Sequence, residues 1–259
     1  MKNTILKTIS LSLLASMFLT SSHAEDINLS VLDMAGKQRM LSQRIAKDYI
    51  YFGQDVAKSK AKKQLNESIK QFVLVQKELA LSINDEEIKN LLMFVDMSID
   101  DFNSIKEEDY SIDNAQLALD LSESMLEGSQ YVVKSLEETL KIKKEASLVN
   151  IAGKQRMLSQ RIAKYYIAYQ AGIKDKNTVD QMKAVVKEFA EAQEKLLNNQ
   201  TNTPAINKKL NDVNRLWKIV YKFYLNIEKG GLPFIVFNST DNITKKMNQI
   251  TSMYVELEK

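Results

Sequence analysis

The chain has 259 residues, a formal net charge of +3 at pH 7, a single histidine and no cysteine. This near-neutral charge argues against a protein that binds nucleic acid or another polyanion. The histidine, His23, lies in a predicted leader, so the rest of the chain lacks the side chains of a cysteine- or histidine-based active site or a zinc centre. We therefore expect no enzyme, no metal site and no cofactor, and we interpret the acidic clusters at 85–87 and 107–109 as helix starts and loops.

The first 24 residues have the layout of a secretory signal peptide. Lys2 and Lys7 precede an apolar stretch from Ile9 to Leu19, and Ser22-His23-Ala24 supplies the small residues of a cleavage site. The apolar stretch is shorter than the roughly 20 residues that a membrane anchor needs. We expect cleavage after Ala24 and export to the periplasm, which lowers the formal charge from +3 to +1.

Residues 25–259 form a succession of predicted helices. The whole chain has only two prolines and seven glycines, and long segments of helix-forming residues separate them. Thr203 before Pro204 is typical of a helix start, and Gly230-Gly231 is typical of a helix end. The pattern predicts eight helices and no strand, at about 28–58, 61–82, 85–106, 112–142, 144–173, 179–199, 204–229 and 234–257.

An internal repeat divides these helices into two groups of four. The thirteen residues AGKQRMLSQRIAK occur at 35–47 and again, unchanged, at 152–164. The same offset of 117 residues relates Phe72 to Phe189 and Leu79 to Leu196. We therefore predict an all-α protein of two tandem four-helix-bundle modules with up-down topology, each with its own modest core. The predicted division is 1–24 for the leader, 25–141 for the first module and 142–259 for the second.

The repeated segment has three faces on a helical wheel drawn at about 100° per residue. One face is apolar and is expected to pack into the module's own core, with Met34, Leu41, Ile45 and Phe52. A second face is expected to point to solvent, with Lys37, Met40, Arg44 and Lys47 in the first copy and Arg161 in the second. The third face consists of Ala35, Arg39, Ser42 and Ala46.

The third face places an arginine among small residues. Small residues let a second helix approach closely, at a position where a helix seam ordinarily has an apolar side chain. A guanidinium buried there without a partner is costly, so something negative should meet Arg39 and its counterpart Arg156. The alternatives are an acidic residue on a neighbouring helix, or a side chain that reaches water.

The segment AGKQRMLSQRIAK resembles the first-helix motif of the PilJ-type sensory domain at the N-terminus of type IV pilus chemotaxis transducers. It is also similar to the periplasmic sensor module of NarX-type nitrate and nitrite kinases. The flanks agree with the resemblance, with Asn150 before Ile151-Ala152-Gly153 and the pair Leu216-Trp217 further along. Because both halves carry the motif, the chain resembles a tandem PilJ-type protein.

The resemblance implies a four-helix bundle that dimerises through its first helices and grips an oxyanion there with the arginine of the motif. In this sequence that arginine is Arg39 in the first copy and Arg156 in the second. The remaining residues of the expected ligand site are Gly36, Gly153, Ser42, Ser159 and Asn150. The first copy has Asp33 where the second has Asn150, and we expect this carboxylate to compete for Arg39.

Two hypotheses of function follow. The first is an exported sensory protein that recognises nitrate, nitrite or another small oxyanion and relays its state to a membrane chemoreceptor or sensor kinase. A planar guanidinium suits this role because its paired N–H groups match two oxygens of a planar anion. The alternative is a structural or adaptor protein of the cell envelope that packs helical bundles together and has no small-molecule ligand.

The junction between the modules decides how many sites exist. The segment 141–145 consists of good helix formers, and between Ser129 and Ala171 the only glycine is Gly153 and proline is absent. We expect the fourth helix to continue into the fifth, so that the modules stack end to end and a parallel homodimer completes two separate sites. In the alternative, a break near Lys144 folds the modules side by side, and Arg39 and Arg156 share one anion within a monomer.

Overall fold

The computed structural model describes residues 9–139 and 146–257, with side chains from 29 to 138 and from 148 to 257. The described residues form eight α-helices and one short 3-10 helix, Ile227–Lys229, and contain no strand, which confirms the all-α prediction. The α-helices are α1 (Ile9–Gly53), α2 (Lys58–Ser82), α3 (Glu86–Lys106), α4 (Ile112–Thr139), α5 (Ala146–Gln170), α6 (Lys176–Leu197), α7 (Pro204–Leu225) and α8 (Pro233–Leu257).

Side-chain caps explain where several helices begin. The Thr203 hydroxyl accepts a hydrogen bond from the amide of Ile206 at 3.2 Å, and Pro204 opens α7 as predicted. Asp175 caps α6 through the amide of Thr178 at 2.8 Å, so this helix begins earlier than the predicted residue 179. None of the helices in the described ranges is long and apolar enough to cross a membrane.

Each repeat folds into a four-helix bundle. In the first, α1 packs against α2 and α4, and α3 completes the bundle beside α4; the second repeats this with α5, α6, α8 and α7. Gln38 Nε2 donates to the carbonyl of Phe72 at 3.2 Å and to Gln76 Oε1 at 2.6 Å, which joins α1 to α2. The same contacts recur in the second bundle between Gln155, Phe189 and Gln193.

The two bundles lie side by side, because α1 and α5 make the most extensive helix pair in the described structure. The two helices run parallel. Asp33, near the middle of α1, meets Arg156 of α5. Tyr51, near the end of α1, makes an edge-to-face contact with Phe237 near the start of α8, with the ring centroids 4.7 Å apart. The start of α8 adjoins Tyr166 at the end of α5. An approximate two-fold axis along the α1–α5 pair therefore relates the bundles.

The prediction of an end-to-end stack is wrong. Helices α4 and α5 belong to neighbouring bundles and run in opposite directions, so they are not one helix. The predicted continuous segment itself, residues 140–145, lies outside the described residues. The physical reason for the error is that local helix propensity does not reveal that α1 and α5 each have a second face suited to burial.

The face of the repeated segment that was predicted to point to solvent is the face that packs against the other bundle. Met40 and Lys47 are buried, because α5 and α8 cover them. Arg161 is also largely covered and pairs with Glu123 at 2.5 Å. Ala35, which we expected on the face toward a partner, instead packs in the first bundle's own core. The small residue that faces α5 is its neighbour, Gly36.

Candidate functional site

Arg39 and Arg156 meet at the α1–α5 interface within one chain. Both side chains are buried, with 4% and 1% of their surface exposed. A Cβ atom placed on Gly36 would lie 3.5 Å from Nη2 of Arg39 and 3.3 Å from Nη2 of Arg156. The two guanidinium groups therefore converge on the same point above the α1 backbone, and the absence of a side chain at Gly36 lets both approach that point closely.

Arg39 has a hydrogen-bond partner at only one of its nitrogen atoms in the described structure. Its Nη2 donates to Asn150 Oδ1 at 2.7 Å, and Asn150 Nδ2 in turn donates to Glu137 Oε1 at 2.6 Å. Its Nε is buried, and no acceptor in the described part of the chain bonds to it. Burial, followed by the charge of Arg156, lowers the pKa of Arg39 to about 10. Arg39 is thus a buried cation with an unused donor.

Arg156 has more partners. Its Nη2 donates to Asp33 Oδ1 at 2.6 Å, its Nη1 to Asn248 Oδ1 at 2.8 Å and its Nε to the carbonyl of Gly153 at 3.4 Å. Asp33 was expected to compete for Arg39, and the structure corrects this: the carboxylate crosses the interface and pairs with Arg156. The two halves of the site are related by the repeat, but Arg156 has three hydrogen-bond partners and Arg39 has one in the described structure.

The two arginines repel each other. Two unit charges about 6 Å apart repel by roughly 2–3 kcal/mol at an effective dielectric constant near 20. Asp33 and Glu137 offset part of this repulsion, since one pairs with Arg156 and the other raises the pKa of Arg39 against the effect of burial. A bound anion between the guanidinium groups would offset more of this repulsion.

The remaining predicted site residues lie around this pair in different roles. A Cβ atom on Gly153 would lie 3.1 Å from Nη2 of Arg156, so this glycine also lets the guanidinium approach the helix. Ser42 and Ser159 lie one turn away and donate to the carbonyls of Arg39 and Arg156, each at 2.9 Å. Ser159 also shares a hydrogen bond with the Thr244 hydroxyl of α8 at 2.7 Å, so these hydroxyls bind the helix backbone and α8 rather than the guanidinium groups.

A cleft of about 430 Å³ leads from the surface to the Arg39 side of the site, between α1, α4 and α5. Its floor includes Arg39 and Asn150, and its walls come mainly from α4. The lining residues are Arg39, Glu127, Gln130, Tyr131, Val133, Lys134, Glu137, Asn150 and Lys154. Sequence reasoning missed Glu137 and Asn248, because α4 and α8 carry no repeated motif that marks them.

A second polar layer lies deeper along the same interface. Lys47 reaches Asp241 of α8 at 2.9 Å and Asp48 at 3.1 Å. In the symmetric position Lys164 pairs with Glu123 of α4, and its pKa falls to about 8 because it is buried. Each repeated segment therefore ends in a lysine that binds the other bundle's last helix.

This geometry, with paired four-helix bundles and two buried arginines between their first helices, defines a protein of the helical-bundle class. The chain belongs to the PilJ family, described as the type IV pili methyl-accepting chemotaxis transducer N-terminal domain, whose model matches residues 26–84 and 139–227. These two segments contain both copies of the motif, and they confirm the tandem PilJ-type resemblance. No curated protein and no solved structure matches the chain.

Proposed function

We propose that this protein is a periplasmic sensory protein that binds one small oxyanion, nitrate or nitrite, between Arg39 and Arg156 of a single chain. The observation that supports the proposal is the convergence of two buried guanidinium groups on one point above Gly36. Family membership supports the sensory role. The signal-peptide pattern of residues 1–24 supports export, after which residues 25–259 would act in the periplasm.

The chemistry favours a planar monoanion. Each guanidinium presents parallel N–H donors that match two oxygens of nitrate, and each charge-assisted hydrogen bond contributes about 1.5–3 kcal/mol. An anion between Arg39 and Arg156 replaces one repulsion with two attractions. The binding free energy is thus coupled to how closely α1 and α5 approach each other.

Binding at this position would change the contacts that now join the bundles. Asn150 Oδ1 and Asp33 Oδ1 occupy the Nη2 atoms that an anion would use. Their release would alter the relation of α1 to α5, and a ligand shifts such an equilibrium by its differential affinity for the two arrangements. We propose that a membrane chemoreceptor reads this change, in keeping with the family's place in chemotaxis transducers.

Isothermal titration of the purified protein with nitrate, nitrite, sulfate and chloride tests the proposal. Arg39→Ala and Arg156→Ala should each abolish binding, and the lysine variants should bind weakly because a point charge lacks the guanidinium fork. Arg215→Ala is the matched control, because Arg215 is exposed on α7; Arg161 is unsuitable because it pairs with Glu123. Equal anion affinity in the wild type and the Arg39→Ala, Arg156→Ala double variant would overturn the site.

A structural or adaptor role is the second candidate. It is favoured by one observation, which is that Asp33 and Asn248 already satisfy Arg156 without a ligand. A thermal-shift screen separates the two roles. An anion present at 100 times its dissociation constant should stabilise a sensory protein by about 2.7 kcal/mol, whereas an adaptor without a ligand should show no anion-specific shift.

A further inference from the structure

The cleft between α1, α4 and α5 makes the two halves of the arginine pair unequal. It opens onto Arg39 and is lined by Lys154, the first of the two lysines in the second repeated segment. The equivalent lysine of the first segment, Lys37, lies on the other side of the approximate two-fold axis and does not line this cleft. The repeat has therefore kept two identical lysines in different surroundings.

The hydrogen bonds show the same inequality. Arg156 uses Nε, Nη1 and Nη2 on protein acceptors, whereas Arg39 uses Nη2 and leaves a buried Nε without an acceptor in the described structure. Of the five N–H donors of each guanidinium, Arg39 therefore commits one and Arg156 commits three, so an incoming anion finds more uncommitted donors at Arg39. The adjacent amide of Asn150 presents its oxygen to Arg39 because Glu137 holds the amide nitrogen.

We propose that this cleft is the entry path and outer subsite for the anion, with Lys154 attracting the anion and Arg39 receiving it first. The inference rests on the proposed function and names which half of the site binds. Glu137 opposes entry in two ways: its charge repels the anion, and its bond to Asn150 keeps the amide in the orientation that satisfies Arg39. An anion that displaces the Asn150 oxygen allows the amide to turn and donate its N–H instead.

The cleft walls carry both positive and negative side chains, and their ion pairs decide which of these charges can meet an incoming anion. Lys134 is exposed beside Glu138, and Lys154 pairs with Glu188, both partly exposed. Such exposed pairs are weak, so Lys154 is free to turn toward an anion in the cleft. Glu127 stands at the exposed rim, whereas Glu137 lies next to Asn150.

Calorimetry with sodium nitrate, in a gluconate background, tests the entry path with a matched pair of variants. Lys154→Gln and Lys37→Gln remove the same charge from the same motif position. Lys154→Gln should weaken nitrate binding roughly two- to fivefold, as expected for a partly exposed charge, and Lys37→Gln should leave the affinity unchanged. Glu137→Gln, which keeps the acceptor for Asn150, should strengthen binding by a similar factor.

Association kinetics test the path itself. Gln130→Trp places a bulky group in the exposed cleft wall and should slow nitrate association, and Gln116→Trp, an exposed position elsewhere on α4, should not. If the wild type binds nitrate but Lys154→Gln and Lys37→Gln lose the same amount of affinity, the entry path is overturned and the arginine site is not. A wild type that binds none of the four anions would overturn both.

Discussion

Asp33 is the residue at which the two copies of the site differ most in charge. It stands where the second repeat has Asn150, and its carboxylate bonds Arg156 across the interface at 2.6 Å. The carboxylate therefore behaves as a resident anion that competes with any ligand for Arg156. Asp33 is about one-third exposed, so it can turn to water when a ligand displaces it.

Asp33→Asn should strengthen anion binding. The variant makes the first copy match the second, keeps a hydrogen-bond acceptor for Arg156 and removes a competing charge. We expect nitrate affinity to rise about three- to tenfold, in line with the loss of one charge-assisted hydrogen bond at a partly exposed position. Calorimetric titration measures it. An unchanged affinity would show that Asp33 does not compete with the ligand.

Asp48 provides a test of the deeper polar layer. It is fully buried beside Lys47, and its pKa rises from the usual 3.8 to about 6, mainly because of burial. The charges of Lys47 and Arg44 lower this pKa, and the charge of Asp241 raises it. The folded protein therefore holds this proton more tightly than the unfolded chain does. Ionisation of Asp48 costs stability as the pH rises from about 4 to above 6, and the cost is constant at higher pH.

Asp48→Asn stays neutral at every pH and should escape this cost. Relative to the wild type, the variant should gain roughly 2–3 kcal/mol in the free energy of unfolding between pH 4 and pH 7. Urea denaturation of both proteins at the two pH values measures the difference, and comparison with the wild type cancels the other carboxylates. A difference that does not change with pH would contradict the burial of an ionisable Asp48.

The repeated segment is an element with three functions, which explains its retention as a unit. Gln38 and Gln155 join their helices to α2 and α6. The glycine and arginine of each copy form the site between the bundles. The terminal lysines, Lys47 and Lys164, bind the opposite bundle. A change at most of these positions leaves a buried polar group without a partner, which costs about 1–3 kcal/mol.

Gly36→Ala should change stability and binding in opposite directions. A methyl group at this position contacts only the ends of two flexible side chains, at 3.3 and 3.5 Å, so the fold should tolerate it. Alanine favours the helix over glycine by up to about 1 kcal/mol, but the methyl occupies the point on which both guanidinium groups converge. We expect equal or higher unfolding stability and anion affinity at least about tenfold weaker. Unaltered affinity would move the ligand away from Gly36.

The sequence predicted the elements well and their mutual arrangement poorly. Proline, glycine and capping residues such as Thr203 report local backbone geometry, so the eight helices were foreseeable from them. The wheel identified Leu41 and Ile45 as core residues correctly. It assigned Met40 and Lys47 to solvent because they share a face with Lys37 and Arg44, and only the position of α5 and α8 shows that they are covered.

The candidate site was foreseeable in its residues and not in its geometry. The exact repetition of a segment containing one arginine singled out Arg39 and Arg156. Their meeting within one chain depends on the side-by-side packing of the bundles, which no local pattern encodes. Glu137 and Asn248 come from helices that the repeat does not mark, so their contribution required the structure.

At the scale of the whole molecule, tandem duplication places both halves of a symmetric interface in one chain. The reciprocal contacts of Lys47 with α8 and Lys164 with α4 fix the α1–α5 pair in register. The duplication also allows the two halves to diverge, as they have at Asp33 and Asn150. A site between identical subunits lacks this freedom, because any substitution appears on both sides.

The central claim is that one chain holds one anion between Arg39 and Arg156. Nitrate stoichiometry of the wild type does not test it alone, because a parallel homodimer with separate Arg39 and Arg156 sites also binds one anion per chain. Calorimetric titration of the Arg39→Ala variant does. We predict no binding at either arginine, since the remaining guanidinium has lost its partner within the chain. Retention of one nitrate for every two chains would contradict the shared site and support separate sites between subunits.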